Sequence, residues 1–396
     1  MLNQHYRDML GRKSVIRELS EYAGRRAAEV GAENVYDFTL GNPSVPAPDS
    51  FRDSCIRELM TRDPVQLHGY SPSLGIPEVN EKVAASLNRR FGMHYTAGHI
   101  FTATGAAGAL AHALRAVTKP GDRVLVPAPY FPEYGPYIEG TGAQMQAVPA
   151  RFEDFQINLE KMAGMLTADV AAVLINSPNN PSGAVYSEET LRQLAQLLED
   201  GQKKFGHAIF LISDEPYREI VFDGKTVPYT AHFYNNTITC YSFSKSLSIP
   251  GERIGYVAVN PACEDAELIV PVCGQISRGI GHNCPSSLIM RAMADNADCT
   301  ADLHVYETNM NLLYDTFRKL GFDVVRPGGT FYIMPRALEK DSVSFCRKAM
   351  AHDLIFVPAD GFGAPGWFRV AYCLPTGKVE RSLGVIENFV KTEYGK

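Results

Sequence analysis

The segment Thr237-Ile-Thr-Cys-Tyr-Ser-Phe-Ser-Lys245-Ser-Leu-Ser-Ile-Pro-Gly-Glu-Arg253-Ile-Gly-Tyr-Val-Ala-Val259 decides the reading of the whole chain. Thr237 to Ser242 and Arg253 to Val259 are β-branched and apolar enough to be buried strands, and the residues between them carry chemistry. At the end of a buried strand, a lysine ammonium at position 245 sits in a low dielectric, with Arg253 only eight residues on. Both effects lower its pKa, which is what a lysine that forms imines needs. The hydroxyls of Ser242 and Ser244 and the Arg253 guanidinium together suit a phosphate.

Working outward, residues 99 to 260 alternate short β-branched runs with amphipathic stretches of helical length, the pattern of parallel strands joined by crossover helices. His99 to Ala103, Arg123 to Pro127, Val170 to Asn176 and Ala208 to Ser213 join the two strands above. One helix is expected after Tyr186, capped by Ser187, with Leu191, Leu194, Ala195 and Leu198 on one face. Another is expected from Gly105 to the stop signal Lys119-Pro-Gly-Asp122. Beyond residue 295 come a long helix candidate, then Phe322 to Val325, the turn Arg326-Pro-Gly-Gly and Thr330 to Met334, which read as a separate α+β unit. The Pro-rich loop Gly41-Asn-Pro-Ser-Val-Pro-Ala-Pro48 is placed to link the two units. The expected division is a large domain over 48–295 and a smaller one built from 1–47 and 296–396.

A chain of 396 residues with 45% apolar and 21% charged residues has the composition of an ordinary globular protein, and its length favours more than one core. Lys plus Arg number 38 against 44 Asp plus Glu, with both signs interspersed, which argues against a nucleic-acid partner. The longest apolar runs, such as Val170 to Ile175, fall far below the ~20 residues of a membrane helix, so no membrane partner is expected. The N-terminus is charged where an export signal would be apolar, and a cytoplasmic location is the expectation. Eight cysteines are scattered without C-x-x-C or zinc spacing, as reduced, mostly buried thiols would be, and no metal site is expected.

Three further motifs are ambiguous taken singly. Thr104-Gly-Ala-Ala-Gly-Ala-Leu110 is either a tight turn allowing close helix packing or an anion site at a helix start. Asp214, in Ile212-Ser-Asp-Glu-Pro-Tyr217, stands at a strand's C-terminal end, where open α/β sheets place ligands; it either holds a protonated ring nitrogen or serves as a cap. Asn176-Ser-Pro-Asn-Asn180-Pro-Ser-Gly183 is a turn that needs no function. Gly274-Gln-Ile-Ser-Arg-Gly279 lacks the spacing of a hydrolase nucleophile elbow, and no H-E-x-x-H is present.

Taken in order, the S-x-S-K…R pattern, the preceding D-x-x-Y, the N-P-S-G turn and the late arginine in Trp367-Phe-Arg369-Val resemble the class I/II aminotransferases of the fold-type I pyridoxal-phosphate enzymes, over nearly the whole chain. The resemblance implies an α/β fold with a mostly parallel seven-stranded sheet between helices, a smaller α+β domain, and pyridoxal 5′-phosphate as cofactor. It implies that Lys245 bonds the cofactor and shuttles a proton, that Asp214 pairs with the pyridinium nitrogen, and that Asn180 and Tyr217 hydrogen-bond the phenolic oxygen. It further implies Phe131 stacked on the ring, and Gly105, Ala106, Ala107, Ser242, Ser244 and Arg253 around the phosphate. Arg369 matches the clamp on the substrate α-carboxylate and Gly41 the loop over it, with Asn180 also in reach of substrate. Tyr70, in His68-Gly-Tyr-Ser-Pro-Ser-Leu-Gly75, matches a tyrosine donated across a homodimer with shared active sites.

The expected reaction is ping-pong amino transfer between an L-amino acid, aspartate favoured, and a 2-oxo acid, 2-oxoglutarate. Some bacterial aspartate aminotransferases carry a lysine at the third phosphate-loop position to read an acidic side chain; here that residue is Ala107. Arg278, five residues before Asn283, stands at the spacing of the arginine that crosses the dimer in dicarboxylate-specific members, and is either that residue or part of an ordinary interface ion pair. An aromatic or aliphatic aminotransferase and a carbon–sulfur β-lyase share these motifs. A cofactor-binding regulatory module, the reading from a different class, is disfavoured by the intact lysine and carboxylate clamp.

Overall fold

Seven strands form the central sheet: β1 (Ile100–Ala103), β2 (Arg123–Pro127), β3 (Gln144–Val148), β4 (Val170–Asn176), β5 (Phe210–Asp214), β6 (Thr237–Ser242) and β7 (Gly255–Val259). Their order is β1-β7-β6-β5-β4-β2-β3. All neighbours from β6 to β3 pair in parallel, whereas β7 runs antiparallel to both β6 and β1. The link from β6 to β7 is the short motif around Lys245 rather than a crossover helix, so the chain reverses direction there. The computed structural model describes residues 2, 4–10 and 14–395.

The sheet is buried on both faces, as its apolar strands demand. Successive residues of β4 point to opposite sides: Leu174 packs with Leu110, Leu114, Val126 and Ile269, and Val173 with Leu191, Leu194 and Leu198. The first layer includes α1 (Gly105–Val117) and the second α2 (Glu188–Phe205), whose Ser187 cap accepts from the Thr190 N–H at 3.1 Å. Both helices begin where the sequence places them. After β6 come the single turn α3 (Phe243–Ser246) and α4 (Ala266–Ile280), which packs against α1.

A second hydrophobic cluster gathers Phe38, Tyr306, Phe317, Phe345, Phe356, Phe368 and Phe389 around α5 (His304–Lys319), α6 (Thr376–Tyr394) and a three-stranded antiparallel sheet of Val357–Pro358, Phe368–Ala371 and Tyr332–Ile333. Tyr217, Ile220 and Phe222, just past β5, pack into the same cluster. Residues Tyr36 and Asp37 pair in parallel with Leu354 and Ile355, tying the N-terminal segment to this unit.

The strands differ from expectation at four places. The edge strand β3 went unread because Gln144-Met-Gln-Ala-Val148 is largely exposed, has one partner and lacks a β-branched run. Phe322 to Val325 forms no strand; Val324 makes a lone bridge to Pro335, and Thr330 to Met334 narrows to Tyr332–Ile333. Arg253 lies before β7 with a left-handed backbone (φ 51°), and its side chain reaches the Thr104 carbonyl just ahead of α1.

Candidate active site

The C-terminal ends of β4, β5 and β6 open on a cavity of about 600 Å³. Lining it are Gly41, Ala106, Ala107, Phe131, Asn180, Asp214, Tyr217, Ser242, Ser244, Lys245, Arg253 and Arg369, all of them expected site residues, with Gly105 adjoining Ala106. Tyr70 and Arg278 do not line it; both are exposed on the single chain.

At the floor lies Asp214, the last residue of β5 and the register partner of Asn176 at the end of β4. The Tyr134 hydroxyl donates to Asp214 Oδ2 at 2.6 Å, and Asn176 Nδ2 donates to the Asp214 carbonyl at 2.8 Å. Oδ1 is buried and has no partner among the described residues. Burial lifts the Asp214 carboxyl to about 7, the Tyr134 hydrogen bond opposing and Glu215 adding to the rise. A protonated ring nitrogen set against Oδ1 would supply the missing donor and counter-charge.

One wall is the start of α1. Gly105 holds a left-handed backbone (φ 75°) that a side chain would strain, and a Cβ there would stand 2.7 Å from Arg253 Nη2, displacing that guanidinium. The first-turn N–H groups of a helix have no internal acceptor, and those of Ala106 and Ala107 lie at the cavity. Ser242 and Ser244 present hydroxyls 2.7 Å apart, and Arg253 reaches Ser244 Oγ at 3.5 Å and the Thr104 carbonyl at 3.4 Å. Backbone N–H groups, two hydroxyls and a guanidinium make a cradle for a dianion. A ligand with a phosphate at one end and a protonated aromatic nitrogen at the other meets partners at both ends, and pyridoxal 5′-phosphate has that chemistry.

Lys245, in α3, points its ammonium into the cavity and donates to the Gly41 carbonyl at 2.6 Å. Burial pulls its pKa down to about 8, with Arg253 and Arg369 adding to the shift and Cys373 opposing it. The loop carrying Gly41 lies close, and a Cβ on Gly41 would collide with the Tyr332 hydroxyl. Opposite stands Arg369, buried on the strand Phe368–Ala371. It donates to Asn180 Oδ1 at 3.1 Å and to the Thr39 carbonyl, its guanidinium stacks 4.6 Å from the Tyr332 ring centroid, and its Nε has no partner. A fully buried, still charged guanidinium with a spare donor is built for an anion that arrives.

Tyr134, Asn176, Tyr332, Arg17 and Glu133 also belong to this cavity and were not singled out from sequence. Asn176 and Asp214 were detectable together as polar ends of two apolar runs. Tyr332 meets Tyr217 hydroxyl to hydroxyl at 3.3 Å across more than a hundred residues, which no local pattern announces.

Residues 33–386 match the family model for aminotransferase class I and II. A probable aspartate/prephenate aminotransferase of Aquifex aeolicus is 33% identical over 88% of this chain and 90% of that protein. Among solved structures, an aminotransferase from Eubacterium rectale superposes with a TM-score of 0.97 at 42% identity, covering 100% of this chain and 99% of the other. The aspartate aminotransferase of Thermotoga maritima gives 0.85 at 27% identity, covering 96% and 97%. With such a match, and Lys245 facing a dianion cradle, the chain belongs to the class I and II aminotransferase family and has its fold-type I architecture; it is an aminotransferase.

Proposed function

We propose that this aminotransferase uses pyridoxal 5′-phosphate to move an amino group between a dicarboxylic L-amino acid, aspartate first, and 2-oxoglutarate by a ping-pong sequence. The observation that carries the reading is the pairing of the lowered Lys245 ammonium with the buried Arg369 guanidinium in one cavity. The acidic donor is supported by relatives named aspartate aminotransferases, from Thermotoga maritima and from Bacillus subtilis.

When bound, the cofactor supplies an electron sink for charge developing at the substrate Cα. Asp214 Oδ1 would keep the ring nitrogen protonated, Asn180 and Tyr217 would hydrogen-bond the phenolic oxygen, and Phe131 would cover the ring face. Ala106, Ala107, Ser242, Ser244 and Arg253 would hold the phosphate. Arg369 takes the α-carboxylate through two parallel N–H donors and orients Cα toward Lys245. With a pKa near operating pH, Lys245 Nζ is free to accept the Cα proton and return it. Burial by Tyr332 and the Gly41 loop excludes water from that transfer.

A donor panel with 2-oxoglutarate tests this. Aspartate should lead in the wild type, and Arg369→Leu should lower kcat/KM for every donor by about 3–5 kcal/mol of transition-state binding, because all share the α-carboxylate. Preference for aromatic or aliphatic donors, or pyruvate release from cystathionine outpacing transfer, would replace the substrate assignment.

The shared-site homodimer belongs to the same proposal. Between Ile56 and Leu74, large apolar side chains (Ile56, Leu59, Met60, Val65, Tyr70 and Leu74) stand exposed on the single chain, a surface suited to a second copy. Tyr70 and Arg278 would then complete the partner's cavity. Mixing Tyr70→Phe with Lys245→Ala subunits should regenerate one intact site per hybrid dimer; no recovery under conditions of proven subunit exchange rejects the sharing.

A further inference from the structure

The cavity holds two charged side chains that no role above employs. Arg17 lies in the first turn of the helix Val15–Val30, and Glu133 immediately precedes the helix Tyr134–Glu139. Both line the same cavity as Lys245 and Arg369. Neither side chain has a hydrogen bond or ion pair among the described residues, and they do not pair with each other. Yet they act on the same group. The Tyr137 hydroxyl is raised to about 12, chiefly by burial, with Glu133 and Asp214 adding to the rise and Arg253 and Arg17 opposing it.

The other charges of the cavity are committed: Asp214 to the ring nitrogen, Arg253 to the phosphate, Arg369 to the α-carboxylate and Lys245 to proton transfer. Within the chain's own lining, what remains for the part of a substrate beyond Cβ is Arg17, with Glu133 as its counterweight. Ala107 and Leu110, which line the same cavity, offer no charge. A guanidinium stays protonated at any working pH and presents a planar fork that matches a carboxylate.

We propose that Arg17 reads the distal carboxylate of the dicarboxylic donor from within its own chain, and that Glu133 weakens this grip so that the product can leave. The inference rests on the acidic-donor reading above. Because Arg17 is exposed, its pull is screened by salt, unlike that of the buried Arg369.

The test is the ratio of kcat/KM for aspartate and glutamate to that for alanine and phenylalanine, measured at low and high salt. Arg17→Gln should lower the ratio about fivefold, chiefly through KM, and Arg17→Lys should restore part of it. Glu133→Gln should raise it about twofold, since it removes a like charge. Both changes should shrink at high salt. If Arg17→Gln lowers all donors alike, or leaves the ratio unchanged while Arg278→Leu collapses it, Arg17 is not the reader and the acidic-donor reading stands. A wild type that favours neutral donors overturns that reading instead. Calorimetric binding of succinate against propionate then judges Arg17 independently: loss of the succinate preference in Arg17→Gln upholds its role, and an unchanged preference overturns it.

Discussion

Lys245→Ala should be colourless where the wild type is yellow, should resist borohydride trapping, and should lose turnover by a factor on the order of 10⁵. The size follows from two duties resting on one nitrogen. In the proposed reaction, Nζ would be both the attachment point for the cofactor aldehyde and the base nearest Cα, and no other amine lines the cavity among the described residues. Lys245→Arg separates the duties from mere charge: it keeps a cation beside Gly41 but, protonated at working pH, can neither attach nor accept a proton. A Lys245→Ala protein that still turns over within a hundredfold of wild type would remove the lysine from the reaction.

The second large effect is expected at Asp214. Asp214→Asn should keep the shape of the floor and lose about 10³-fold in kcat, because an amide cannot hold the ring nitrogen protonated. The same substitution has a signature in the cofactor-free protein. With its folded pKa raised from the ordinary carboxylate range to about 7, Asp214 contributes stability that is fully present below about pH 4 and is lost as pH rises through 7. The Tm advantage of wild type over Asp214→Asn should therefore fall between about pH 4 and 7 and level off above. Adding the cofactor should reverse the trend, since a ring cation then neutralises the carboxylate. A pH-independent Tm difference would show that Asp214 is not desolvated as its surroundings require.

Much of this architecture is legible in sequence because the sheet is buried on both faces. Runs such as Val170 to Asn176 then carry their own evidence, and their polar last residues mark the site. What escapes is whatever tertiary contact decides. Strand β3 is an edge with little to bury, and the direction of β7 depends on a link whose length permits no crossover. Tyr134 is a buried phenol whose partner lies eighty residues away, so nothing beside it in the chain points to Asp214. Arg17 and Glu133 look like ordinary solvated charges until the fold sets them on one cavity. Tyr70 and Arg278 were expected from motifs alone, and the single chain leaves both outside the cavity.

The hydrogen bond from Arg369 to the Thr39 carbonyl joins residues 330 positions apart. During synthesis, this contact cannot exist until Arg369 has emerged, whereas the strands and loop that carry Asp214, Ser242, Lys245 and Arg253 are out more than a hundred residues earlier. A nascent chain therefore passes through an interval in which the anion cradle can form and the Arg369 wall cannot. Loop closure over such a span is slow relative to local helix formation. Under the proposed roles, competence to bind the cofactor should thus precede competence to turn over.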